Sequence, residues 1–215
     1  MSFSGATRSY WDDKSGQTDF THPLELDWLA SLPKAARILD YGCGYGRVLA
    51  EVVRAGWSAA IGVDLSAGMI ARGRGEHPDL DLRCIDGLPL AFEDGAFDAV
   101  LLFAVLTTMP ADKDQDAVMA EMRRLLRPSG LLYVSDYPLQ TDERYLGRYA
   151  AGVARHGVYG VWDRDDGGAF RHHGRERFAA LLAGFEVLAE SEQPTRTLSG
   201  APALAIQMLA RRLPA

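Results

Sequence analysis

Residues 38–49 read ILDYGCGYGRVL: a short apolar run, then Gly42, Gly44 and Gly46, then apolar residues at helical spacing. Glycine turns a chain sharply and lets backbone approach a neighbour or a ligand closely. Three glycines at a strand-to-helix handover constrain the fold more than any other feature of this chain. The alternation they open continues downstream. Arg37 to Tyr41 is predicted as a strand and Gly46 to Ala55 as a helix, with Val48, Leu49, Val52 and Val53 on its apolar side and Gly56 as a stop. Ala59 to Asp64 reads as a strand, Ala67 to Gly73 as a helix and Leu80 to Ile85 as a strand. Phe97 to Phe103 is apolar on both faces, as a central parallel strand should be. Asp112 to Leu126 is predicted as a helix with Val118, Met122, Leu125 and Leu126 on one side. Pro128-Ser129-Gly130 then turns the chain into a strand from Leu131 to Asp136. Strand and helix in alternation imply a parallel sheet covered on both faces.

The flanks differ. Residues 1 to about 20 are polar and read as a loosely held lead-in carrying Tyr10 and Trp11. A short helix is expected from His22-Pro23, ended by Pro33. After Asp136 a helix (Asp142 to His156) precedes GVYGVWDRDDGGAFRHHG, which reads as a hairpin with a turn at Asp165 to Gly168. Arg175 to Ala183 reads as a helix, and Phe185 to Glu190 and Ala203 to Ala210 as two final strands. With 215 residues, one domain is expected: a lead-in or flap over 1–36, a core over 37–136, a small lid over 137–174, and a C-terminal helix and strands over 175–215.

A formal net charge of -6 argues against broad phosphate contact. Arg123, Arg124 and Arg127 are read as a solvated helix face rather than a nucleic-acid patch. Cys43 and Cys84 are too few for a disulfide framework, so a reducing compartment is expected. The start MSFSGATRSYWDDKSG lacks a charged-then-apolar leader, and no stretch approaches the ~20 apolar residues of a membrane span. The expectation is a soluble, cytoplasmic protein that binds neither membrane nor nucleic acid.

Spacing within the glycine turn separates candidate ligands. A dinucleotide fingerprint, G-x-G-x-x-G, would need glycine at 47, where Arg47 stands, and a Walker loop is absent. The pattern is D-x-G-x-G-x-G, from Asp40 to Gly46. Asp64, ending the second strand, is placed to accept from ribose hydroxyls. Asp86, after the third, is placed to accept from an exocyclic amino group, with Gly87 and Leu88 beside it. Any one of these acids is explained as a turn residue; three at successive strand ends are much harder to explain so.

The segments ILDYGCGYGRVL, GVDLSAGMI, CIDGLPLAFEDGAFDAVLLFAVL and EMRRLLRPSGLLYVSD, spanning about 37–136, resemble the class I S-adenosylmethionine-dependent methyltransferases of the small-molecule-like branch. The chain is also similar to an unassigned subgroup with a THPL start and an RHH hairpin. The resemblance implies a doubly wound, mostly parallel, Rossmann-like α/β sheet of seven strands with the last antiparallel. S-adenosyl-L-methionine is the implied cofactor. Asp40, Gly42, Cys43, Gly44, Gly46 and Arg47 would hold its methionine portion, Asp64 its ribose, and Leu65 and Met69 would pack near ribose or adenine. Asp86, Gly87 and Leu88 would contact adenine, and Phe103 and Ala104 would border the sulfonium. Ser129 departs from the usual glycine in a turn.

The family has no universal catalytic residue, and no motif here supplies one. Weak candidates are His22, Asp136, Tyr137 and His173. His22 is read either as part of a segment closing over the cofactor or, preferably, as a helix-start residue. Tyr10 and Trp11 are read as an aromatic flap over a cation or as an anchor. With His22, Tyr137 and His172 they are the acceptor-side candidates. Successive strand side chains face opposite ways, so only one of His172 and His173 can face a pocket. No zinc site is expected from them. Cys43 is read as a small filler rather than a nucleophile. The leading expectation is methyl transfer to a small molecule. Alternatives are a macromolecule methyltransferase, which the missing Asn/Asp-Pro-Pro-Tyr motif disfavours, a nucleoside-binding protein without chemistry, and a dehydrogenase. Oligomeric state is left open between monomer and homodimer.

Overall fold

The computed structural model describes residues 5–214. The chain forms α1 (Gly5–Lys14), a 3-10 turn (Leu26–Leu29), β1 (Ile38–Tyr41), α2 (Arg47–Arg54), β2 (Ala60–Asp64), α3 (Ala67–Glu76), β3 (Asp81–Cys84), β4 (Phe97–Phe103), a 3-10 turn (Leu106–Thr108), α4 (Asp112–Leu125) and β5 (Leu126–Asp136). It continues with α5 (Glu143–His156), β6 (Val161–Asp163), β7 (Ala169–Arg171), α6 (Arg175–Leu181), β8 (Phe185–Arg196) and β9 (Pro202–Arg212). Seven strands make one sheet in the order β3-β2-β1-β4-β5-β9-β8, and β6 pairs with β7 separately. The first five are mutually parallel, in register Ile38 with Ala60 and Ala99, and Ala99 with Leu131. β9 runs antiparallel to both β5 and β8.

Alternation along the strands divides the core into two faces. On one, Leu39, Val63, Leu102 and Val134 pack against Val118, Met122 and Leu125 of α4 and Phe178 and Leu181 of α6. On the other, Ile38, Ala60, Leu101 and Tyr133 meet Val48, Leu49 and Val52 of α2, Ile70 of α3, and Leu29. α4 is oriented by its charges: Asp112 and Asp114 occupy its first turn, Arg123 and Arg124 its last.

Several expectations are corrected. The lead-in is helical from Gly5 to Lys14, because α1 docks: Asp12 Oδ1 accepts from Ser66 Oγ at 2.6 Å and from the Gly68 amide at 2.9 Å, and Lys14 pairs with Asp166 at 2.9 Å. No helix starts at His22; only the 3-10 turn at Leu26–Leu29 forms in that segment. The arginines of 123–127 are internal clamps rather than a solvated face. Arg124 binds Glu121, Asp94 and the Leu90 and Phe92 carbonyls, Arg127 binds Asp98, and Arg123 donates to the Ala183 carbonyl. β8 and β9 are longer than expected. β8 exposes alternate residues and carries Pro194, which an edge strand tolerates.

Between β5 and α6 the hairpin turns at Arg164–Gly168, where the Arg164 amide donates to Gly168 O at 2.7 Å. Its Trp162 and Phe170 pack with Tyr145 and Tyr149 of α5, and Tyr10 and Trp11 of α1 close the cluster. Among the described residues no helix is long and apolar enough to cross a membrane.

Candidate active site

β1 lies between β2 and β4, and the chain leaves the two sides of the sheet in opposite directions from there. Open α/β sheets bind ligands outside the strand C-termini at such a switch point. A crevice of about 160 Å³ lies there, walled by Asp40 to Gly44 and Arg47, by Asp64, Leu65 and Met69, by Ile85, and by Phe103 to Val105. Trp11, Phe20 and His22 from the N-terminal segment also face it. That segment is fastened by Arg72 of α3, which donates to Ser15 O, Thr18 O (2.7 Å) and Asp19 Oδ1 (3.0 Å) and lies 3.8 Å above the Tyr45 ring.

The glycines are required by geometry. Gly42 has φ +72°, and a Cβ there would lie 2.6 Å from Val105 Cγ2; Gly44 has φ +55°, and its Cβ would lie 2.9 Å from the Phe20 ring. The bend's amides, however, already have partners within the chain. Gly42 and Cys43 donate to Val63 O, Gly44 to Asp64 Oδ2 at 2.9 Å, and Gly46 to Cys43 O. Asp64 Oδ1 accepts from Ser66 N at 2.8 Å, so this one carboxylate joins the bend to the start of α3. Ala104 holds φ 55°, an uncommon conformation for alanine, with its amide bonded to Ser135 O at 2.7 Å.

Two acids behave differently. Burial pushes the Asp40 carboxyl up to about 7, against the pull of Arg47, and its Oδ2 has no partner. Asp136 is also pushed up to about 7 by burial, but both its oxygens are used, accepting from Tyr137 N at 2.8 Å and Thr107 N at 3.2 Å.

His22 is buried, and its Nδ1 meets Ser135 Oγ at 2.8 Å. Pro23 O can only accept, which fixes the Gln207 amide with Nε2 toward it at 2.6 Å and Oε1 accepting from Tyr133 Oη at 2.8 Å. Gln207 Nε2 also reaches Ser135 Oγ at 3.4 Å. The other ring nitrogen of His22, Nε2, is buried without a partner. Burial, reinforced by Arg47, holds the ring down at about 3, uncharged at neutral pH.

A second chamber adjoins the first. Trp11, Phe20, His22, Ala104 and Thr108 line both. Its other walls include Tyr137, Tyr145, Trp162, Phe170 and His172, with Arg148, Arg164 and Arg196 around them.

Residues 39–134 match the family described as "Methyltransferase domain". A demethylmenaquinone methyltransferase of Beutenbergia cavernae is 36% identical over 113 residues, 52% of this chain and 45% of that protein. A 27-O-demethylrifamycin SV methyltransferase of Amycolatopsis mediterranei is 32% identical over 139 residues, 60% of this chain and 50% of that one. A crystal structure of a SAM-dependent methyltransferase from Methanosarcina mazei superimposes with a TM-score of 0.82 at 22% identity, covering 89% of this chain and 99% of that one. Residues 39–134 thus match a methyltransferase domain, and the fold is one that SAM-dependent methyltransferases share. The chain spans about half the length of those two curated relatives.

The methyltransferase cofactor is S-adenosylmethionine, and the crevice fits it. The unpartnered Asp40 Oδ2 offers a buried acceptor for an ammonium group, and a side chain at 42 or 44 would run into Val105 or Phe20 in the crevice wall. The expected residues are not all brought together. Gly46 caps α2 at the back of the bend, with φ 86°. Asp86, Gly87 and Leu88 do not line the crevice; the Asp86 side chain is 98% exposed and pairs with Arg8 at 3.1 Å, and Ile85 takes the inner position. Asp136 and His173 lie behind the wall, His173 Nε2 meeting Gln115 Nε2 at 2.8 Å. His172 lines the second chamber, as strand alternation allows. Tyr10 packs edge-on to Trp11 and Phe170 without lining either chamber, which makes it an anchor. Val105, Thr108 and Phe20 had no signal in the sequence. They reach the site through loop geometry.

Proposed function

We propose that the protein transfers a methyl group from S-adenosylmethionine to a small-molecule acceptor held in the second chamber. The observation that carries this reading is the junction of the two chambers at His22, Ala104 and Thr108. It leaves room for a donor on the strand-end side and an acceptor on the aromatic side. The methyltransferase relatives named for menaquinone and rifamycin precursors support a small acceptor.

The bound cofactor supplies a methyl group on a sulfonium centre. In this reading Asp40 and Arg47 face the charged amino-acid end, Asp64 the ribose, and Leu65, Met69 and Ile85 the adenine side. Phe103 and Ala104 border the transfer point. The segment from α1 to His22 and the unit from α5 to β7 keep water out. Holding two reactants in line supplies about 7–11 kcal/mol of a transfer barrier.

At the junction His22 presents Nε2 without a partner. Tyr137 Oη donates to Arg196 O at 3.0 Å. Burial pushes the Tyr137 phenol well above its usual range and holds the His172 imidazole well below its own. In this reading His22 orients the acceptor atom through Nε2.

The test is transfer of labelled methyl from S-adenosylmethionine into fractions of a cell extract. Label in the fraction below a few kilodaltons is expected. Label confined to RNA or protein would refute the small-molecule reading.

A further inference from the structure

The second chamber carries a consistent chemical signature. Its walls are flat and apolar. Trp162 and Phe170 stack at 29°, and Tyr137 and His172 stack at 25° with ring centroids 5.0 Å apart. Stacked and edge-on rings of this kind favour another flat ring.

One donor in its wall lacks a partner: the Trp162 indole N–H is buried and unpaired, at a residue 5% exposed. The charges around the chamber are also positive and in part uncommitted. Arg164 is tied to Asp166 by two bonds of 3.0 Å. Arg148 has no carboxylate partner among the described residues and lies 5.4 Å from the Tyr145 ring centroid. The Arg196 side chain donates to the Gly200 carbonyl at 2.9 Å and has no carboxylate partner among the described residues. Asp19 is the one acid in the lining, and Arg72 pairs with it. Donors and cations without acceptors call for a ligand that brings negative oxygen.

We infer that the second chamber takes a flat aromatic acceptor bearing an anionic oxygen group, a carboxylate or phenolate, met by Arg148, Arg196 and the Trp162 N–H. This deepens the methyl-transfer reading and rests on it for the word acceptor; the chamber's preference for aromatic anions is measurable by itself.

The test is a ligand-observed NMR titration of the protein with benzoate, benzamide and cyclohexanecarboxylate, each with and without saturating S-adenosylhomocysteine. Benzoate is expected to bind about tenfold more tightly than the isosteric amide, and more tightly than the saturated acid. The double variant Arg148→Gln/Arg196→Gln is expected to bind benzoate no better than benzamide while binding S-adenosylhomocysteine as the parent does. Both arginines stand at the solvent side of the chamber, and a thermal melt checks that the variant folds. Equal binding of amide and acid, no binding of either, or a preference that survives in the double variant overturns the inference. Failure of S-adenosylhomocysteine alone to bind, with benzoate preferred, overturns the methyl-transfer reading instead.

Discussion

Replacing Gly42 by alanine tests the bend directly. Alanine at φ +72° pays about 1–2 kcal/mol for the left-handed conformation. Its methyl would also meet Val105 Cγ2 at 2.6 Å. Val105 is buried and β-branched, so its χ1 has little freedom to yield. Overpacking of this kind costs about 1–3 kcal/mol. The expected loss is therefore about 2–5 kcal/mol from a total of about 5–15. For a chain of this size that lowers Tm by about 4–20 °C. Urea unfolding followed by circular dichroism, with a thermal melt beside it, reads both quantities. The clash is separable from the backbone strain by Val105→Ala. In that background Gly42→Ala should cost only the conformational part, giving a coupling of about 1–3 kcal/mol. A Gly42→Ala protein within 1 kcal/mol of the parent, or one whose loss is equal in both backgrounds, would refute the reasoning.

Gly75, exposed in α3 with nothing within 4 Å of its Cβ position, is the matching control; Gly75→Ala should gain about 0.5–1 kcal/mol in the same urea assay. Ser66→Ala should lose about 1–2 kcal/mol, because Ser66 Oγ accepts from Met69 N at 3.0 Å as the α3 N-cap and donates to Asp12; increased proteolysis within α1 would accompany the loss. Stability should fall below pH 6 by about 1 kcal/mol per pH unit. There the unfolded chain protonates His22, His172 and His173, which burial keeps neutral in the fold, while the fold holds protons on Asp40 and Asp136, both raised to about 7, and at lower pH on Asp64, which burial also raises. Above about pH 6.5 these histidine and aspartate contributions nearly cancel. Urea midpoints from pH 4.5 to 8 check the profile, and a protein more stable at pH 5 than at pH 7 would contradict it.

The sheet was legible because each buried strand and helix carries its own period. Leu39, Val63 and Leu102 alternate with Ile38, Ala60 and Leu101, and Val48, Leu49 and Val52 repeat at helical spacing. The crevice was legible where its lining groups sit on strand ends, as Asp40 and Asp64 do. What stayed hidden depends on distant partners. The polar sequence of α1 gives no helical period, and the helix is held by Asp12 on α3 and Trp11 against Phe170. His22 reads as a helix start until Ser135, 113 positions away, claims its ring. Asp86 has the right position in sequence, but its carboxylate turns outward to Arg8, and no local pattern encodes that turn. The free amides expected at the bend are taken up by Val63 and Asp64, contacts that exist only once β2 lies beside β1.

The most direct measurement is a calorimetric titration with S-adenosylhomocysteine of the parent, Asp64→Ala and Asp86→Ala. The parent should bind one equivalent. Asp64→Ala should lose about tenfold or more in affinity, and Asp86→Ala, whose carboxylate lies outside the crevice, should match the parent. A parent that gives no binding, or an Asp64→Ala protein that binds as tightly as the parent, would contradict the placement of the cofactor beside the glycine bend.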